Sequence, residues 1–213
     1  MEEQNLPEYE NTAPQEEQCV PAQDAQVAKP LAWVREAYTW IETFAITLMV
    51  LLLAVTFLGR YAPVDGGSMN LTLRHKDFVI LSDVGYTPKQ GDIVVVQSQR
   101  YGYDKPLVKR VIATGGQTVT LNYEHWEVTV DGVLLDESYV FYREGERMND
   151  GNLVTELEEE TFTVPQGKIF VMGDNRNDSL DSRYSAIGYI DERLVIGRVL
   201  FRIFPLSAFG RVA

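Results

Sequence analysis

The chain has 213 residues, 45% of them hydrophobic, and a formal net charge of −12. That length holds one sizeable domain or two small ones, and the acidic balance argues against a nucleic-acid partner. One cysteine, Cys19, excludes an internal disulfide; His75 and His125 lack tight ligand spacing, so neither a metal nor another cofactor is expected.

Half of the net charge sits in the first thirty residues, which are rich in Glu, Gln, Asn and Pro. Such a composition buries too little apolar surface to offset the entropy of ordering, so residues 1–38 read as an acidic tail, disordered over the first thirty. The character changes at Trp40. Residues 43–59 carry no charge, and with Trp40 and Tyr61 as interfacial residues the segment 39–60 reads as a membrane anchor in contact with lipid. A buried soluble helix would show a polar stripe, and a cleaved secretory signal would lie nearer the N-terminus behind a basic region. Lys29 and Arg35 before the span, against Arg60 after it, place the N-terminus in the cytosol and residues 61–213 outside the plasma membrane, in a single-pass topology.

Beyond the span the pattern is short, β-branched and broken by turns, which predicts a mainly β protein: an N-terminal transmembrane helix followed by an all-β domain. Strands are expected at residues 78–81, 93–96, 108–112, 128–130, 161–164, 169–172 and 194–204. Asp131-Gly132 is the strongest hairpin signal. Residues 143–160 turn acidic and lose alternation, so about 120–165 reads as an inserted hairpin with a solvated excursion.

Three stretches bear on chemistry. In Gly66-Gly67-Ser68, two glycines permit a crowded backbone that presents a hydroxyl, although the same triplet also reads as a linker. Lys109 and Arg110 lie in an apolar strand; one of them should face inward, where lost solvation lowers a lysine pKa, but Lys109 also fits a solvated face. The stretch GDNRNDSLDSRYSAIG, residues 173–188, follows an apolar run and reads either as a site loop or as a turn closed by Asp181 and Arg183.

Together the three resemble the motif boxes of bacterial type I signal peptidases, membrane-anchored Ser-Lys proteases that remove signal peptides from exported proteins. GGSMNLTL is similar to the nucleophile box, KRVIATGGQ to the base box, GDNRNDSLDSRYSAIG to the third box, and GDIVVV at Gly91 to a further strand box. The resemblance implies Ser68 as nucleophile, Lys109 as general base, Ser179 as the hydroxyl that orients the amine, Asp181 and Arg183 as site-shaping residues, and Met69 and Leu73 as pocket residues. It implies cleavage after small residues, with preproteins emerging from the export machinery as partners; oligomeric state stays open. Leu71 stands for the family's usual Pro, Ala113 for its Gly and residues 115–117 for Pro-Gly-Asp, which touches loop geometry beside the reacting groups. Two other readings remain: a catalytically silent, membrane-anchored β domain that binds extended peptides, and a Ser-His enzyme using His75 or His125.

Overall fold

The structure, a computed structural model, describes residues 28–58, 60–97, 105–151 and 157–212. It contains one long helix, α1 (Ala28–Leu58), and twelve strands: β1 (Arg60–Pro63), β2 (Phe78–Ser82), β3 (Ile93–Gln97), β4 (Pro106–Thr114), β5 (Thr118–Asn122), β6 (Glu127–Val130), β7 (Val133–Leu134), β8 (Glu159–Thr163), β9 (Lys168–Met172), β10 (Ile190–Asp191), β11 (Val195–Phe204) and β12 (Gly210–Arg211). The mainly β reading holds. Strands β1, β7, β10 and β12 are short edge or return pieces that no periodicity announces.

The helix starts earlier than the sequence led us to expect. Residues 28–38, read as part of the tail, are helical, because Ala, Leu, Arg and Glu favour a helix and Pro30 sits in the first turn, where no amide partner is lost. Residues 1–27, with most of the expected disorder, lie outside the described residues. Within the helix, Trp33–Leu53 is 21 residues long with a mean hydropathy of 1.4. Thr39, Thr43 and Thr47, spaced one turn apart, each donate to the carbonyl four residues back, at 3.0, 2.8 and 2.8 Å. Their hydroxyls are thereby satisfied within the helix, as a lipid environment requires. Large apolar side chains are exposed along this stretch, Trp33, Trp40 and Phe44 among them, a surface that lipid accommodates and water does not.

The β unit is built from two antiparallel sheets. The larger runs β1-β2-β11-β3-β4-β9-β10, with β12 on β11; the smaller runs β7-β6-β5-β8. In β3, Ile93 to Val96 are all buried, because both faces of the sheet are covered: Ile93 and Val95 join one apolar cluster, and Val94 and Val96 another. The smaller sheet leaves from the end of β4 and returns at the start of β9, and those two strands pair with each other. At this neck, Gln117 Oε1 accepts from the Thr114 amide, and Gly116 N donates to Val164 O at 2.8 Å. Gly115 is obligatory there: a Cβ on it would sit 2.9 Å from Gln166 Cα. The insert's tip is the expected hairpin, with Asp131 and Gly132 at φ 51° and 80° and Val130 paired to Val133.

The 143–160 stretch is less solvated than its composition suggests. Met148 is fully buried and Asp150 nearly so, because residues 137–151 pack back against the loop that follows β9.

Candidate active site

The three motif stretches arrive at one place from three elements. The turn of residues 64–77 between β1 and β2 carries Ser68, β4 carries Lys109, and the loop leaving β9 carries residues 173–183. Lys109 Nζ lies 2.6 Å from Ser68 Oγ. Ser68 is partly exposed, whereas Lys109 is only 2% exposed. In the sheet register Lys109 stands opposite Val94, so the two share a face with the apolar cluster that also holds Val171. Burial there pushes the lysine down to about 8; Asp181 and Asp174 pull it upward and Arg183 pushes it further down.

Only one of Lys109 and Arg110 was expected to face inward, and both are buried. They do point oppositely, but β4 is covered on both faces. Arg110 is held by two 2.9 Å bonds to the Asp174 carboxylate, a 3.0 Å bond to Gly91 O, and the Tyr139 ring 3.8 Å from its guanidinium carbon. Asp174 also accepts from Thr72 Oγ1 at 2.5 Å. One carboxylate therefore ties the Ser68 turn, strand β4 and the loop after β9 together. Asn175 adds two links, from its amide to Ser68 O at 3.0 Å and from Nδ2 to Gly67 O at 3.2 Å.

Asp181 and Arg183 form a fully buried bidentate pair, with both bonds at 2.8 Å, and Asp181 Oδ2 also accepts from Gly173 N. Burial opposes the charge on Asp181, but Arg183 and the Gly173 amide outweigh it and hold the carboxyl below its usual range. Arg183 further donates to the carbonyls of Asn149 and Arg176. Arg176, completely buried, pairs with Glu137 of the insert through both guanidinium nitrogens.

Ser179 is 5% exposed. Its hydroxyl adds to the groups that keep Asp181 charged, without a hydrogen bond of full geometry to any described residue. Met69 and Leu73 are buried in the core cluster beneath the Ser68 turn, with Val79, Ile93 and Val95. With Leu71 two residues before Leu73, Ser68 stays in contact with Lys109. His75 reaches the Ser68 turn from its side: its Nδ1 accepts from Gly66 N at 3.3 Å and lies 3.4 Å from Asp65. Among the described residues no group of His, Cys, Asp and Glu is arranged to hold a metal.

Sequence reasoning gave no role to Asp174, Arg110, Thr72, Asn175 or the Arg176–Glu137 pair. The first four lie inside the motif boxes, so their polarity in apolar surroundings was the available signal; Glu137 sits 39 residues from Arg176, and nothing local links them.

Comparison with known proteins identifies the family. The family described as "Signal peptidase, peptidase S26" matches residues 37–204. A probable signal peptidase I-1 of Synechocystis is 34% identical over 201 residues, covering 89% of this chain and 92% of that protein. Signal peptidase IB of Staphylococcus aureus is 32% identical over 185 residues, covering 82% and 93%. A crystal structure of a signal peptidase I from Enterococcus faecalis, 28% identical, covers 53% of this chain and 97% of that one with a TM-score of 0.43. The chain belongs to the signal peptidase family, whose members are peptidases that process signal peptides, and among the described residues one apolar helix is suited to anchoring it in a membrane.

Two predictions follow from this geometry. A Cβ on Gly173 would stand 2.3 Å from Ser179 Oγ and 2.5 Å from Ser68 O, so Gly173→Ala must displace both serines. It should destabilise the fold by about 1–3 kcal/mol and cut peptidase turnover by about a hundredfold, read by urea melts and single-turnover cleavage. The second concerns linkage. The folded-state value of Lys109 lies below its unfolded one, so the unfolded chain binds more protons between pH 8 and 10.5, and stability rises with pH across that window. Lys109→Met should therefore be more stable than the wild type below pH 8, by about 3 kcal/mol, with the gap closing towards pH 10.5. Equal melts of the two proteins at pH 7 would show that the amine is not desolvated.

Proposed function

We propose that this protein is a type I signal peptidase that works as a Ser-Lys endopeptidase: Ser68 attacks the peptide carbonyl and Lys109 is the general base. The observation that carries the reading is the 2.6 Å separation of a hydroxyl and a buried amine pushed down to about 8. In the neutral amine the Ser68 hydroxyl donates to the nitrogen lone pair, which takes the proton as the C–O bond forms. The tetrahedral intermediate then collapses to the acyl-enzyme as Lys109 passes that proton to the departing amine, and water activated by the same lysine hydrolyses the ester. At pH 7 an amine titrating near pH 8 is neutral in about one molecule in ten, enough to support turnover.

Ser179 orients the amine in this reading. Its burial, and a hydroxyl that near Asp181 lacks a fully formed hydrogen bond, support the role. Asp181 and Arg183 shape the loop that carries it. The Ser68 N–H meets no acceptor among the described residues, which suits it to a developing oxyanion; Gly66 offers no side chain to help. Met69 and Leu73 form the floor beneath the nucleophile and keep the subsites for the substrate residues before the scissile bond small, favouring an A-x-A-like ending. The substrate is an exported preprotein lying extended, and the site stands outside the plasma membrane with the N-terminus in the cytosol.

Purified full-length protein in detergent should cut a preprotein at one bond after a small residue, identified by sequencing the new N-terminus. Its kcat/KM should rise tenfold per pH unit below about pH 8 and level off above it. Lys109→Arg should lower single-turnover cleavage by about 10²–10⁴, because arginine stays protonated and keeps only the charge. An active Lys109→Arg enzyme would exclude base catalysis by this residue. Replacing His75 and His125 by Gln should leave most activity, which separates the dyad from a Ser-His alternative. For topology, an impermeant thiol reagent should leave Cys19 unlabelled in intact cells and label it after lysis; labelling without lysis would reverse the orientation.

A further inference from the structure

Beside the nucleophile turn lies a cavity of about 440 Å³ lined by Asn70, Leu71, Arg74, His75 and Phe141. Leu71 is three residues from Ser68, so their Cα atoms are at most about 11 Å apart. Two residues of an extended substrate, at about 3.3 Å each, bring a side chain into that range. The cavity combines apolar walls with a cationic rim. Leu71 and Phe141 are 55% and 37% exposed, and Arg74 is exposed beside them.

The two basic side chains on the rim are not equivalent. His75 is engaged, accepting from Gly66 N and standing beside Asp65. The Arg74 backbone amide is bonded to Asp77, but among the described residues no carboxylate lies within ion-pair distance of its guanidinium. In a chain of net charge −12, an uncommitted arginine on an apolar cavity beside the nucleophile is a charge without a local counterpart. A carboxylate supplied by the substrate would complement it.

Size decides which part of the substrate enters. The residues before the scissile bond are small in the proposed reaction, and a methyl group fills a minor part of a cavity this large. Pockets of 300–1,000 Å³ take far larger groups. We infer that this cavity binds the first two residues after the scissile bond and that Arg74 selects an acidic side chain there. The inference rests on the peptidase reading above and deepens it by naming a substrate preference.

The test uses full-length protein in detergent and preproteins that differ only at the first or second residue after the cleaved bond, which is Glu, Gln or Lys. Wild-type protein at low salt should give a kcat/KM for Glu about fivefold above Gln at one of these positions, with Lys lowest. The preference should shrink in 0.5 M salt, as an exposed pair does. It should vanish in Arg74→Gln, persist in Arg74→Lys and reverse in Arg74→Glu. Each ratio is measured within one preparation, so a loss of folded protein does not alter it. A wild-type Glu-to-Gln ratio near one at both positions, or an unchanged ratio in Arg74→Gln, overturns the inference while leaving the peptidase reading intact. Failure to cleave any of these preproteins overturns both.

Discussion

An amine stripped of water beside a hydroxyl is an unstable arrangement, and the surroundings of Lys109 are organised to maintain it. Burial favours the neutral form, but the neighbouring Asp181 and Asp174 carboxylates pull the other way. Left unpaired, either carboxylate would draw a proton back to the lysine. Each is instead paired with its own arginine, Asp174 with Arg110 and Asp181 with Arg183, and the Arg183 charge offsets part of the pull on the amine.

Buried ion pairs of this kind add little net stability over apolar packing, since desolvating the charges costs about what their attraction returns. Their value is geometric. A bidentate guanidinium-carboxylate pair fixes distance and plane at once, and the pair at Asp174 also holds Thr72 of the Ser68 turn. The third such pair, Arg176 with Glu137, carries the same logic into the insert. Residues 137–151 are thus held against the loop after β9 although they belong to the insert. Removing one partner of any pair would leave a charge buried alone, a far greater penalty than the pair's own worth.

The sequence made the long central strands, the anchor and the three motif stretches legible, for different reasons. β3 and β9 are unbroken apolar runs bounded by turns, and the uncharged run after Trp40 is long enough to span lipid. The site stretches were legible through their resemblance to a known family; Ser68 and Lys109 taken separately also fitted a linker and a solvated strand face. Three kinds of feature stayed hidden. The helix start at Ala28 depends on propensity in a short mixed segment between the acidic tail and the uncharged run, which no periodicity announces. The burial of both Lys109 and Arg110 depends on what covers each face of β4, which alternation cannot reveal. Glu137 meets Arg176 only once the insert has folded back, so its acidic neighbours made the region look solvated.

The neck at residues 114–117 and 164–167 gives the insert a particular freedom. Chain leaves and re-enters the larger sheet at almost the same point, so the pairing of β4 with β9 is indifferent to how much polypeptide lies between them. Length at the Asp131-Gly132 tip can therefore change without disturbing that pairing, whereas the stretch from Glu137 to Gly151 is pinned by what it touches. One appendage holds both an outer end whose length the larger sheet does not set and an inner segment tied to the loop after β9.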